Sequence, residues 1–287
     1  MSSRTFAIGL GSTPKRVLPG FGLSLGISLT FVSLMLLLPM TGLFGQLAGL
    51  SLAEYWAIVT NERVVASYVV TIGAAAVAAV VNAAFGLLLA WVLVRYTFPG
   101  KRLLDALMDL PFALPTAVAG ITLATLYSSN GWMGQLLEPL GLQVAYTWVG
   151  IALAMSFTSI PFVVRTVQPV LEDMPNEMDE AALTLGASDF TGFRRVILPH
   201  LWPALVTGTG LAFVRSLGEF GAIIFIAGNM PYETEITALM IFVRLQEYDY
   251  AGASAIASVV LFVSLALLLA INVWQGRFIK RLHGGHG

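Results

Sequence analysis

Arg215 and Glu219 stand four residues apart inside an apolar run, 201–227, and they are the side chains with the most evident chemical potential in this sequence. Arg215 falls about 14 residues into that run, roughly 21 Å along a helix from its start. An ionised side chain at bilayer depth costs roughly 2.5–3.5 kcal/mol on insertion scales, so neither group is expected to face lipid. On a helix the i, i+4 spacing permits a pair, although Arg before Glu is the weaker order. Two roles stay open. The guanidinium could replace hydration around an oxyanion beside an aqueous path, or the pair could be a clasp that fixes packing. Each residue is expected to meet a further partner on another helix. Catalytic chemistry is poorly supplied. There are three histidines and no cysteine, which excludes disulfides and thiolate metal sites. No HExxH pattern, no paired carboxylates in a plausible cleft and no GxxxxGK[ST] phosphate loop occur, so neither an enzyme nor an ATPase site is expected. His283 and His286 flank glycines near the C-terminus and receive no metal role. No cofactor or metal is implied.

The elements that must position these residues follow from composition. Hydrophobic residues make up 57% of the 287 and charged ones 11%, with a mean hydropathy of +0.83, which assigns the chain to lipid. A hydrocarbon core of roughly 30 Å calls for about 20 apolar residues per helix. Six runs reach or approach that length: 19–44, 66–94, 106–127, 147–164, 201–227 and 251–274. The first follows Arg4, Lys15 and Arg16 but is too long for the apolar core of a cleaved signal, so it reads as a helix. The expected fold is all-α with six spans. It divides into an N-terminal region with a peripheral first helix (residues 1–60), a core of five spans (residues 61–276) and a tail (residues 277–287).

If sides alternate from a cytoplasmic N-terminus, twelve Lys and Arg residues lie inside. These are Arg4, Lys15, Arg16, Arg95, Lys101, Arg102, Arg165, Arg194, Arg195, Arg277, Lys280 and Arg281. Only Arg63 and Arg244 lie outside, and so strong a bias places both termini in the cytoplasm. The outer loops then carry seven carboxylates, Glu54, Glu62, Glu138, Glu233, Glu235, Glu247 and Asp249, a face that would repel a free anion.

Within the spans, Pro111 and Pro115 remove backbone donors from the third, where bending is the expected effect and a gate the alternative. Pro161 should act likewise near the end of the fourth. Gly218, Gly221 and Gly228 in the fifth permit close approach or unwinding, and a soft spot beside Asn229 would suit a gate. The run IGAAAVAAVVNAAFG, 72–86, offers small residues for close helix packing, with Asn82 able to bond across the interface.

One stretch between the fourth and fifth runs is unlike the rest. Met174, Met178, Ala181, Ala182 and Leu185 recur at the spacing of one helix face, while Glu177, Asp179 and Glu180 occupy the others. Such a helix is too short and too polar to span. Gly186 should stop it in a left-handed turn, Ser188 or Asp189 can cap a second short helix in which Phe190, Phe193 and Ile197 share a face, and Pro199 should end that unit. The result is a cytoplasmic knob.

Glu180-Ala181-Ala182, three residues, Gly186, nine residues, then Val196-Ile197-Leu198-Pro199 resembles the EAA motif of permease subunits in bacterial ABC importers, departing only in Val196 for isoleucine. DALMDLPFALPTAVAG (105–120), FTSIPFVVRTVQPVLE (157–172), RSLGEFGAIIFIAGN (215–229) and LMIFVRLQEYDY (239–250) are similar to the T-type permeases of sulfate/thiosulfate importers, with molybdate and tungstate permeases as near relatives. The resemblance implies the type I importer permease fold in a bacterial cytoplasmic membrane. It also implies that Glu180, Ala181, Ala182, Gly186, Leu198 and Pro199 form a coupling element against an ATPase. The implied partners are two ATPase subunits, a second W-type permease, an external sulfate- or thiosulfate-binding protein, the anion itself and membrane lipid, with no nucleic acid. Arg215, Glu219, Asn229, Pro111 and Pro115 are candidates for the path or its gate. A stand-alone secondary transporter would more often show repeated halves, and no convincing internal repeat is visible.

Overall fold

The computed structural model describes residues 21–175 and 177–283, with only the backbone described at Asp179 and 277–283. Among the described residues every regular element is helical. The chain divides into two compact units at Gly49 and Leu50. In the first unit, α1 (Phe21–Ala48) is long and apolar enough to span. It contains one π turn, Ser33–Leu37, in which the Leu38 N–H bonds Ser33 O. The turn precedes Leu38-Pro39, whose proline lacks an N–H and would press its ring on the carbonyl four residues back, and the wider turn relieves both problems.

The second unit begins with α2 (Leu52–Val59), held at its N-terminus by a capping box. Ser51 Oγ accepts from the Glu54 N–H and Glu54 Oε2 accepts from the Ser51 N–H at 2.8 Å. Tyr55 Oη and Ser258 Oγ lie 3.0 Å apart, which ties α2 to this unit. Next come α3 (Glu62–Arg95), α4 (Lys101–Met108), α5 (Leu110–Ala113), α6 (Thr116–Tyr127) and α7 (Trp132–Leu137). They are followed by α8 (Trp148–Glu172), α9 (Glu177–Thr184), α10 (Asp189–Leu217), α11 (Ile223–Ile226), α12 (Thr237–Gln246) and α13 (Tyr250–His283).

Among the described residues five helices, α1, α3, α8, α10 and α13, are long and apolar enough to cross a bilayer. The third expected span, 106–127, is instead broken into α4, α5 and α6. Leu114 precedes Pro115 and is driven to an extended conformation (φ −84°, ψ 136°), because the proline Cδ clashes with a helical residue before it. Pro111 and Pro115 therefore interrupt this element where simple bending was expected. The fourth span continues beyond Val164 to Glu172 and carries Pro161 and Pro169 in its interior, so Pro161 does not mark its end. The fifth stops at Leu217, ten residues short of expectation, and Gly218–Ala222 is not helical.

The centre of the bundle is α8, with 56% of its most apolar window buried against 17% for α13. Small residues let α3 lie against it. Ala74, Ala75, Ala78 and Ala79 are buried, and a Cβ on Gly86 would come within 2.8 Å of Val163. Asn82 Nδ2 donates to Ser156 O (3.1 Å) and Ser159 Oγ (2.8 Å), and Ser216 Oγ lies 3.1 Å from Ser159 Oγ. This polar thread ties α3, α8 and α10 where lipid offers no competing partner. Outward side chains such as Val69, Val80, Phe85 and Leu88 on α3 and Leu265 and Leu269 on α13 stay exposed, as a surface facing hydrocarbon must.

Candidate functional site

The charged stretch between α8 and α10 builds a projecting knob. α9 ends in a Schellman motif, with Gly186 N–H on Leu183 O (2.9 Å) and Ala187 N–H on Ala182 O (3.0 Å), around a left-handed Gly186 at φ +77°. That conformation costs an L side chain about 1–2 kcal/mol, which explains the glycine. Ser188 Oγ accepts from the Thr191 N–H and opens α10. The next segment differs from expectation. Pro199 ends nothing, because α10 continues from Asp189 to Leu217 through a π turn, Phe193–Ile197, placed before Leu198-Pro199 as in α1. The one-residue widening accommodates the proline, and the chain stays helical.

The knob is fixed on one side and open on the other. Phe193 meets Trp91 edge to face at 5.3 Å between centroids, and the Arg95 guanidinium sits 5.4 Å from the Trp91 ring. Met174, Ala182 and Ile197 are buried. Three apolar residues depart from the expected faces, the small Ala181 and two large ones. Leu185, at the turn following α9, is 87% exposed, and Phe190 is 71% exposed although Phe193 and Ile197 pack. With Leu183 at 58%, they give the knob an apolar outer surface. Glu180 and Ala181 are exposed beside it. A cleft of about 360 Å³ lies behind, lined by Trp91, Arg95, Leu183, Ser188 and Phe193.

The second candidate region is where the broken element meets the non-helical turn after α10. A Cβ on Gly120 would overlap the Ala222 carbonyl, and one on Gly221 would overlap Thr116 Oγ1, so α6 and the 218–222 turn touch backbone to backbone. Glu219 is 2% exposed; its Oε1 accepts from the Ala222 N–H at 3.1 Å and its Oε2 lies 2.8 Å from Arg215 Nη2 as an ion pair. Both partners belong to the same segment, and the contacts to another helix expected for Arg215 and Glu219 are not found among the described residues. The Arg215 side chain is 36% exposed. Asn229, at φ +57°, donates from Nδ2 to Ile224 O. Gly228, at φ +69°, lies under Tyr146, whose N–H bonds Ile226 O at 2.7 Å. Pro111 is buried, and Phe112 next to it stacks edge to face on Phe162. The fifth run therefore unwinds at its glycines, as the sequence suggests.

Charge placement holds further findings. Glu235 is buried and takes a bidentate contact from Arg63, with Nε and Nη2 each at 2.8 Å, while Arg244 pairs with Asp249 at 3.1 Å. Two of the seven carboxylates expected outside are thus paired with the two arginines expected there. Arg165, which enters the sequence reading only as an inner positive charge, contacts Asp105 and Asp109 on the broken element. The sequence does hold a signal for this, since Asp105 and Asp109 stand i, i+4 at the start of one apolar run and Arg165 directly follows the end of another. Among the described residues no group of three or more His, Asp or Glu side chains could hold a metal ion.

Residues 82–284 match the family described as binding-protein-dependent transport system inner membrane component. The chain belongs to this family. Within it, the sulfate transport system permease protein CysT of Salmonella typhimurium is 63% identical over 275 residues, covering 96% of this chain and 99% of the relative. The corresponding protein of Escherichia coli is also 63% identical, over 94% of this chain and 98% of its own length. Among solved structures, a chain of a bacterial alginate ABC transporter in complex with an alginate pentasaccharide-bound periplasmic protein superposes with a TM-score of 0.74 at 19% identity, over 90% of this chain and 94% of the other. That likeness is one of fold, and the importer permease architecture expected from the EAA motif is the one observed.

Proposed function

We propose that this chain is the permease subunit of an ATP-driven sulfate importer, supplying half of the translocation route and receiving its drive through residues 174–199. The observation that carries the substrate is the 63% identity over nearly the whole chain to a sulfate transport permease. The coupling role is supported by the knob, whose exposed Leu183, Leu185 and Phe190 surround Glu180 and Ala181 on a helix stopped rigidly at Gly186. Ala182 roots that helix in the core, and Leu198-Pro199 sets the angle at which α10 leaves the knob. An ATPase subunit is the occupant of this surface, two copies serving this chain and a second, W-type permease. An external binding protein delivers the anion, and the assembly lies in a bacterial cytoplasmic membrane.

The chain passes the membrane six times, the third pass being the broken element α4–α6, and both termini are cytoplasmic. The path runs beside the turn at 218–222. Arg215 offers a guanidinium partly neutralised by Glu219, which favours weak and reversible contact with a dianion, as transport requires. The break at Pro111 and Pro115, with the unwound backbone near Asn229, forms the gate. Closure of the ATPase pair moves the knob and opens the route outward; hydrolysis resets it inward.

Uptake of labelled sulfate by the assembled transporter in vesicles, competed by thiosulfate, molybdate and tungstate, tests the substrate. Sulfate and thiosulfate should compete at similar concentrations and the larger oxyanions poorly. Preferential block by molybdate would assign the chain to the neighbouring branch.

A further inference from the structure

Arg165 spends every N–H it has on three residues, Asp105, Asp109 and Gln168. Nε donates to Asp109 Oδ1 (2.9 Å) and Nη2 to Asp109 Oδ2 (2.7 Å), the paired geometry a guanidinium makes with a carboxylate. The second Nη2 hydrogen goes to the Asp105 carbonyl (2.8 Å), and Nη1 serves Asp105 Oδ1 (2.6 Å) and Gln168 Oε1 (2.7 Å). Gln168 is held in turn by Glu172 Oε1 at 3.0 Å. A planar group with five contacts cannot rotate without breaking several of them, so the clamp joins α8 rigidly to the end of α4.

Its place in the fold gives that rigidity a purpose. Arg165 lies about 10 Å before the end of α8, and that end, through Leu171 and Met174, packs in one apolar cluster with Ile197 and Leu201 at the base of the knob. Asp105 and Asp109 stand before the break at Pro111–Pro115. Beyond the break, α6 also touches α8 but packs most on α11 and the 218–222 turn, where Gly120 meets the Ala222 backbone and Thr116 Oγ1 faces Gly221. The two halves of the broken element therefore share α8 but are fastened by different contacts, one by Arg165 and the other by the turn.

We propose that Arg165 is a positioning residue for transport. It fastens the inner half of the broken element to the knob-bearing helix, so that movement of the knob is delivered to the Pro111–Pro115 hinge. The clamp stays closed through the cycle and the hinge bends. This rests on the coupling role proposed above for residues 174–199.

The chain has no cysteine, so two introduced thiols are its only ones. The Asp109→Cys/Arg165→Cys chain, assembled with its permease partner and ATPase subunits in vesicles, should hydrolyse ATP but move at least tenfold less sulfate per ATP than the unaltered assembly. A short bifunctional thiol cross-linker should restore most of that ratio, and reduction of a cleavable linker should remove it again. Arg165→Lys, with three donors and no fork, should lie between the two. Unchanged sulfate per ATP in either variant, no rescue by the linker, or a linker that blocks transport would overturn the proposal, the last by showing that the clamp must open. If the double variant does not assemble, Arg165→Lys decides. Failure of the unaltered assembly to take up sulfate on ATP would refute the proposed function and is read separately.

Discussion

The knob and the broken element are both irregular, yet they are irregular for different reasons. The knob is shaped by contacts within five residues of sequence: the Schellman bonds at Gly186, the Ser188 cap and the π turn before Pro199. The broken element is interrupted locally, at Pro111 and Pro115, but its two halves are held by what lies far away in the chain, by Arg165 before the break and by Ala222 and Gly221 after it. A locally determined piece can act as a rigid handle. A piece held from two distant places can change shape when those places move. For that reason we propose force reception for the first and gating for the second.

The largest expected effect that could break this contrast is at Gly120. Gly120→Leu would drive a side chain into the Ala222 backbone, and overpacking of this kind costs typically about 1–3 kcal/mol. Transport should be lost and the detergent-solubilised chain should melt earlier, while ATPase subunits still co-purify. Next comes Gly186→Val. No atom lies within 4 Å of its Cβ position, so the defect is the left-handed backbone alone, about 1–2 kcal/mol. Recovery of the ATPase with the tagged chain should fall roughly tenfold with membrane insertion unchanged, the reverse of the Gly120 result.

Smaller effects sharpen the same division. Asn82→Ala removes the donor to Ser156 and Ser159, and buried membrane hydrogen bonds average about 0.6 kcal/mol. A small loss of thermal stability is expected, with the ATPase still bound. The least is at Glu54, whose carboxyl is held below its ordinary value by the Ser51 hydroxyl and then the Ser51 N–H. A depressed carboxylate contributes its stability above the ordinary value and loses it as pH falls through the lowered one. Protection of the amides at the start of α2, relative to their intrinsic exchange rate, should fall as pH drops below about 4, and Glu54→Gln should abolish that dependence.

Much of this is legible in the sequence, and the residues show why. The EAA spacing, the glycine stop and the Ser188 cap are local, so reading along the chain reaches them. Hydropathy locates the lipid-facing helices, and small residues around Asn82 indicate a packing face that meets α8 as expected. What such reading misses is set across space. Pro199 has the look of a terminator, but a π turn absorbs it and the helix continues. Period alone assigns Leu185 and Phe190 to buried faces, whereas the turn at Gly186 swings one outward and the widened helix the other. Glu235 reads as a free outer charge because nothing near it in sequence announces Arg63. Arg215 and Glu219, expected to reach other helices, instead close the turn in which the helix ends.

The most direct test is labelled sulfate accumulation in vesicles holding this chain and its permease partner, with binding protein present, with and without ATPase subunits. Uphill accumulation should require the ATPase and ATP, and should fall when Leu185 and Phe190 are replaced by serine on the knob. Accumulation against the gradient without any ATPase, or at full rate with the knob surface altered, would contradict the account.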